Sequence, residues 1–182
     1  MRLFIGIPMA AAMIEELAAL STRLRTANDG LRWTSSSSWH ITLQFLGSVR
    51  PDQYDCIVSR VREVQSPPVS IQVEGLSFFD RAGVFIVRVR PTPELLLLQQ
   101  RVIASTQLCG FLPELHLYQP HITLARTKGK PAGVVLQNLK RKLGREPDFT
   151  AFPAHEFLLF ESFLSASGSR YEIRERFPLA GD

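Results

Sequence analysis

The chain has few of the residues that mark disulfide-rich, metal-binding or membrane proteins. It holds 2 cysteines in 182 residues, too few for a disulfide framework. Cys56 and Cys109 form neither a CxxC nor a CxxH pattern, so we expect reduced, buried thiols without a role. No uncharged apolar run reaches the roughly 18 to 20 residues of a membrane span, and the amino-terminal segment lacks a signal-peptide cleavage site. We therefore expect a cytoplasmic protein with no membrane partner.

Acidic residues are missing from one long stretch, residues 115–145, which encloses His121. The net charge of +4 is modest, but the cations gather in this stretch. They are Arg126, Lys128, Lys130, Lys140, Arg141, Lys142 and Arg145. Over residues 140–145, a solvated helix face and a functional patch are equally good interpretations. For Arg126, which is close to His121, we favour an anion-binding role.

The feature that organises the chain is a repeated tetrapeptide, His-Ile-Thr-Leu, at residues 40–43 and again at 121–124. With 4 His and 9 Thr in the chain, two His-x-Thr matches are expected in only about one or two per cent of shuffled sequences. The same offset of 81 residues lays the apolar residues 3–5 on residues 84–86. Gly47 and Pro51 follow the first copy, and Gly129 and Pro131 follow the second. We interpret the chain as a degenerate tandem duplication.

Hydrophobic periodicity predicts an α+β fold in one domain, residues 1–182. An irregularity is expected at Gly75 and a hairpin turn over residues 165–168. Strands are predicted over residues 2–8, 31–34, 39–46, 69–79, 84–90, 118–126, 154–164 and 170–177. Helices are predicted over residues 9–27, 51–64, 93–108 and 132–143.

A His-x-Thr strand can form a site because alternate side chains of a strand share a face. His40 and Thr42 then face away from the core, and the duplication would bring His121 and Thr123 to the same cleft. Two imidazoles can provide one proton acceptor and one proton donor near neutral pH, which suits displacement at phosphorus. We expect the two rings to lie about 5 to 8 Å apart, around one phosphate. Two histidines without a nearby carboxylate or cysteine make a poor zinc site.

His116 and His155 have no Thr partner and no repeat. For these two residues we favour a structural role, as buried histidines that bond to backbone carbonyls.

Four segments resemble the two-histidine (2H) phosphoesterase superfamily, and within it the RNA 2',3'-cyclic phosphodiesterases, historically called 2'-5' RNA ligases. They are MRLFIGIP, RWTSSSSWHITLQFLG, HITLAR and LFESFLSASGSRYEIRERFPL. The resemblance implies a bilobal fold with pseudo-two-fold symmetry. Each lobe is expected to be an antiparallel sheet with helices on its outer face, with the active-site cleft between the lobes. It also implies no metal and no nucleotide cofactor.

The same resemblance implies roles for individual residues. His121 corresponds to the base that activates water and His40 to the acid that protonates the departing oxygen. Thr42 and Thr123 correspond to phosphate-contacting residues. Arg126 matches the arginine of the second motif, and Phe45 an aromatic residue that stacks on the terminal nucleoside.

Phe45 and Arg126 are each five residues beyond their histidine, so strict alternation would point them into the core. Either the strands bulge there, or these two residues are structural. The segments at residues 161–162 and 169–171 match the family, but their chemistry suggests no role.

The leading functional hypothesis is therefore hydrolysis of a terminal 2',3'-cyclic phosphate on RNA to a 2'-phosphate. RNA ends carrying a cyclic phosphate are the expected partner, with small cyclic nucleotides as further candidate substrates, and we expect a monomer. One alternative is the reverse reaction, in which a 5'-hydroxyl replaces water and two RNA ends are joined. The other is a non-catalytic protein that binds nucleotides or RNA ends.

Overall fold

The computed structural model describes residues 1–128, 132–145, 147–165 and 168–180. Its ten strands are β1 (Arg2–Pro8), β2 (Leu31–Trp33), β3 (His40–Ser48), β4 (Val69–Ile71), β5 (Val73–Phe79), β6 (Val84–Val89), β7 (His121–Thr127), β8 (Phe152–Ala154), β9 (Glu156–Ser165) and β10 (Gly168–Pro178). Its four helices are α1 (Ala11–Leu24), α2 (Pro51–Arg62), α3 (Pro93–Gln107) and α4 (Ala132–Lys142). The predicted α+β class is confirmed.

Two four-stranded antiparallel sheets form the two lobes. One has the strand order β10-β9-β1-β3, and the other has the order β2-β7-β6-β5. Each motif strand, β3 or β7, pairs with the first strand of its own half, β1 or β6. Each sheet also takes strands from the other half, because β9 pairs with β1 and β5 pairs with β6. Each lobe therefore contains strands from both halves of the chain.

The apolar faces of the helices pack onto one core that includes residues from both sheets. Prolines at the first helical turns of α2 and α3 suit their starts, since the amide that proline lacks has no helical partner there. At the start of α3, Thr92 Oγ1 also accepts a hydrogen bond from the Leu95 amide at 3.3 Å.

Several predicted boundaries differ from the structure. The strand predicted over residues 69–79 is two strands, because β4 leaves the lobe sheet and pairs with β8. The predicted irregularity at Gly75 is confirmed by a register shift between Val73 and Gly75. Gly47 does not end the first motif strand, which runs on to Ser48. Gly129, Lys130 and Pro131 lie outside the described residues, as do residues 166–167 of the predicted hairpin turn.

The prediction of free cysteines was wrong, since Cys56 and Cys109 form a disulfide with a Cα–Cα distance of 5.8 Å. Both residues are half-buried rather than buried. Cys56 lies on α2 and Cys109 follows α3, so packing of these helices brings together residues 53 apart in sequence. The disulfide therefore joins the first half of the chain to the second.

No helix within the described residues has the length and apolar character needed to cross a membrane.

Candidate active site

A bulge occurs at the same point in both motif strands. In β3, Thr42 pairs with Gly6 and Gln44 pairs with Ile5, so Leu43 has no partner. In β7, Thr123 pairs with Ile86 and Ala125 with Phe85, which leaves the equivalent Leu124 without one. An extra residue reverses the alternation of side chains beyond it.

Because of the bulges, the fifth residue after each histidine lies on the same face of the strand as that histidine. Leu43 and Gln44 are buried in succession, after which Phe45 is 58% exposed. Leu124 and Ala125 are likewise buried in succession, and Arg126 is exposed. Of the two predicted explanations, the bulge is therefore the correct one.

One cleft of about 280 Å³ is lined by all six residues singled out from the sequence. They are His40, Thr42, Phe45, His121, Thr123 and Arg126. The two copies of the tetrapeptide thus present their polar side chains to a shared space, while Ile41 and Ile122 are fully buried on the opposite faces.

Both imidazoles are held through Nδ1 by the backbone carbonyl two residues earlier. His40 Nδ1 is 2.8 Å from the Ser38 carbonyl oxygen, and His121 Nδ1 is 2.7 Å from that of Gln119. A carbonyl only accepts hydrogen bonds, so Nδ1 carries the hydrogen in each ring. In the neutral ring, Nε2 is then left with a lone pair that can accept a proton.

His40 is enclosed by aromatic rings. Its ring centroid lies 4.6 Å from that of Phe4, 5.7 Å from that of Phe160 and 5.2 Å from that of Tyr171. Its Nε2 is 3.1 Å from Thr42 Oγ1, which donates to it when the ring is neutral. Among the described contacts, His121 has fewer aromatic neighbours: the centroid of the Phe79 ring is 4.9 Å from that of His121, and the two ring planes are nearly perpendicular.

Burial lowers the pKa of both histidines. The pKa of His40 is lowered to about 4, by burial first and also by the charges of His121 and Arg126, against the opposing effect of the bond to the Ser38 carbonyl. Burial also lowers the pKa of His121, against its bond to Gln119, and Arg126 again adds to the effect. Both rings are consequently neutral at pH 7 in the empty cleft.

Tyr118 connects the two lobes next to the first motif. Its hydroxyl donates to the backbone carbonyl of Thr42 at 2.9 Å, and burial raises its pKa. The residue precedes β7 and bonds to β3, so it fixes one motif strand against the other. Sequence reasoning missed Tyr118, since only the tertiary fold brings it to Thr42.

Strands β9 and β10 also line the cleft, and they contribute Ser162, Leu164, Ser169 and Tyr171. These strands belong to the carboxyl-terminal segment that matched the family but suggested no role. The structure now gives that segment a place in the cleft, with Tyr171 against His40.

The other two histidines are not where we expected them. His116 and His155 are both exposed, so the prediction of buried histidines was wrong. His116 lies in the exposed loop before β7, and His155 lies between β8 and β9.

The basic residues at the end of α4 do not line the cleft. Lys140 pairs with Asp80 at 3.0 Å, and Lys142 donates to Thr26 at 2.9 Å. These contacts hold α4 to surface residues of the first half of the chain. They favour the interpretation of this segment as a solvated helix face over that of a functional patch. Among the described residues, no group of three or more His, Cys, Asp or Glu is placed to hold a metal ion.

Comparison with known families also finds a repeat in the chain. A model of the LigT like Phosphoesterase family matches it twice, over residues 7–86 and 87–171. Each match contains one copy of the His-Ile-Thr-Leu tetrapeptide.

Relatives named RNA 2',3'-cyclic phosphodiesterase match nearly the whole chain. One from Archaeoglobus fulgidus is 28% identical over 175 residues, which is 94% of this chain and 97% of that protein. One from Thermotoga maritima is 28% identical over 180 residues, which is 95% of this chain and 92% of that protein.

Solved structures share the fold. Escherichia coli LigT complexed with 3'-AMP superposes with a TM-score of 0.80 at 22% identity, covering 98% of both chains. A protein from Thermus thermophilus gives a TM-score of 0.82 at 22% identity, covering 100% of both chains. The two-lobed arrangement that the family resemblance implied is thus an arrangement these proteins share.

Proposed function

Because the chain belongs to the LigT like phosphoesterase family, we propose that it opens a terminal 2',3'-cyclic phosphate on RNA to a 2'-phosphate. The observation that carries this proposal is the cleft that both motif histidines line. The names of the relatives support the same substrate.

In the proposed reaction, the phosphate lies between the two Nε2 atoms. His121 takes a proton from water as the water oxygen attacks phosphorus. The bond from phosphorus to the 3'-oxygen breaks, and His40 gives its proton to that oxygen. The product carries a 2'-phosphate and a free 3'-hydroxyl, and proton exchange with solvent then restores both imidazoles.

Fixed donors around the cleft stabilise the charge on the transferred group. The hydroxyls of Thr42 and Thr123 donate to non-bridging oxygens, and Arg126 provides a positive charge beside them. Thr42 must turn its hydroxyl away from His40 Nε2, which it meets in the empty cleft.

His40 must carry a proton to act as the acid, yet its pKa in the empty cleft is about 4. The cyclic phosphate is an anion, and an anion beside the ring favours its charged form. Substrate binding therefore raises the pKa of His40 toward neutrality.

Phe45 provides the surface for the terminal base. It is 58% exposed at the cleft, and its ring centroid is 5.9 Å from that of Phe4, which supports it from behind. Stacking on an exposed ring accepts any base, since every base has a π-face. The enzyme is accordingly expected to accept all four terminal nucleotides.

The test is to incubate the protein with 2',3'-cyclic AMP and with an RNA oligonucleotide ending in a cyclic phosphate, in the presence of EDTA. We expect 2'-phosphate products, identified by phosphorus NMR, and no loss of rate with EDTA. Recovery of an EDTA-sensitive activity by zinc would favour a metal mechanism instead. Binding of both ligands without turnover would favour the non-catalytic alternative.

Joining of RNA ends is a second candidate, and a neighbouring cavity favours it. This cavity, of about 290 Å³, shares Thr42, Phe45 and His121 with the cleft. It offers space for a second strand, whose 5'-hydroxyl would take the place of water. Adding a 5'-hydroxyl RNA to the cyclic-ended RNA tests this, and a 2'-5' linked product is the result expected.

A further inference from the structure

Within the part of the chain that the structure describes, two arginines of the cleft have no acidic partner. Arg2 and Arg126 both line it, and neither pairs with a carboxylate among the described residues. Some arginines on the outer surface do form such pairs, for example Arg50 with Asp52 at 2.9 Å and Arg176 with Glu156 at 2.6 Å. Two free guanidinium groups in one cleft form a site for anions.

Arg2 is too far along β1 to share the phosphate held by the histidines. Gly6 on β1 pairs with Thr42, and the four residues from Gly6 to Arg2 span about 13 Å of strand. Phe45, which pairs with Phe4, lies between these two points. Arg2 thus stands beyond the surface on which the terminal base would stack.

The surroundings of Arg2 suit a phosphodiester. Hydroxyl groups of Ser162 and Ser169 line the same cleft, and none of the described residues that line it is Asp or Glu. The neighbouring cavity differs, since Glu114 lines it and its described lining residues include no Arg or Lys. The negative charge of an RNA strand is therefore attracted toward the Arg2 end of the cleft.

We propose that Arg2 binds the phosphodiester on the 5' side of the terminal nucleotide, so that the cleft prefers RNA strands to cyclic mononucleotides. This inference rests on the proposed function for the identity of the ligand. A cyclic mononucleotide lacks the phosphate that Arg2 binds, whereas every RNA strand has it.

The experiment measures binding of two product-like ligands by calorimetry, adenosine 2'-phosphate and the dinucleotide ApA with a 2'-phosphate. We expect the dinucleotide to bind about tenfold more tightly, the size of one charge-assisted hydrogen bond. Arg2→Gln should remove most of this preference, while Arg2→Lys should keep part of it. Arg23→Gln is the matched control, because Arg23 is exposed on α1 and away from the cleft. This control should leave the preference unchanged.

A third ligand separates charge from base stacking. The same dinucleotide with an uncharged methylphosphonate linkage should bind the wild type like the mononucleotide. The dependence of log Kd on log salt for the charged dinucleotide should also become shallower by about 0.7 in Arg2→Gln. Equal affinity for the charged and uncharged linkages, or a preference that survives Arg2→Gln, would overturn the inference.

Turnover of 2',3'-cyclic AMP tests the proposed reaction separately. A protein that shows the Arg2-dependent preference but opens no cyclic phosphate would contradict the reaction and keep the phosphodiester site. A protein that opens the cyclic phosphate but shows no Arg2-dependent preference would contradict the phosphodiester site alone.

Discussion

The two halves of the molecule share one histidine strand but surround it differently. Both imidazoles bond through Nδ1 to the carbonyl two residues earlier, and both strands bulge at the same leucine. The fifth residue after the histidine is Phe45 in one half and Arg126 in the other. The two halves have therefore kept the same support for the imidazole, while the fifth residue is an exposed aromatic ring in one half and a cation in the other.

The largest loss of activity is expected from replacing either of the two motif histidines. His40→Ala and His121→Ala should each lower kcat by a factor of about 10² to 10⁴, the usual contribution of a positioned acid or base. Affinity for adenosine 2'-phosphate should stay within several-fold. His155→Ala is the control, because His155 is exposed and outside the cleft. Wild-type turnover by either cleft variant would show that the halves do not cooperate.

The dependence of kcat/KM on pH tests whether the two histidines titrate as a pair. The active form has one neutral and one protonated imidazole, so kcat/KM is largest between the two pKa values. Burial places the pKa of His40 at about 4 and lowers that of His121 below 6.5. We expect a bell with its maximum on the acid side of pH 6.5, falling about tenfold per pH unit well above it. A maximum at or above pH 7 would contradict these pKa shifts.

Replacing the fifth residue after each histidine tests whether Phe45 and Arg126 have different roles. Arg126→Gln should lower kcat/KM about a hundredfold, because it removes a charged donor that acts on the transferred phosphate. Phe45→Ala should raise KM about tenfold and leave kcat nearly unchanged, since stacking holds the base in both ground and transition states. The KM and kcat of both variants with 2',3'-cyclic AMP provide the readout. Equal effects on kcat would mean that the two positions do not differ in role.

The smallest effect on activity is expected from removing the disulfide that joins the two halves of the chain. The double variant Cys56→Ser, Cys109→Ser should lose about 2 to 4 kcal/mol of unfolding free energy, measured by urea denaturation. Its kcat should be close to that of the wild type, because neither cysteine lines the cleft. Wild-type protein kept in dithiothreitol should match the variant. Two free thiols in protein purified without reductant would show that the disulfide does not form.

Sequence patterns predicted most elements of the fold because apolar spacing records which face of each strand and helix is buried. The helix predicted over residues 51–64 and the strand predicted over residues 84–90 end within two residues of the observed ones. Strand β8 was missed, because its three residues, with Pro153 at the centre, show no alternation of apolar and polar side chains.

The cleft was predicted less completely than the fold. The histidines were found because they repeat, but Phe4, Phe160 and Tyr171 around His40 come from three different strands and carry no shared spacing. The disulfide and the bond from Tyr118 to Thr42 also depend on tertiary packing alone. The bulges at Leu43 and Leu124 could be inferred only as one of two explanations.

The most direct test is a crystal structure of the protein with adenosine 2'-phosphate bound. The account predicts that Nε2 of His40 and Nε2 of His121 each lie within about 3 Å of oxygens of the bound nucleotide. The two rings should then be about 5 to 8 Å apart, on opposite sides of the phosphorus. A phosphate held by one histidine alone, with the other ring turned from it, would contradict the claim that the two halves act on a single phosphorus atom.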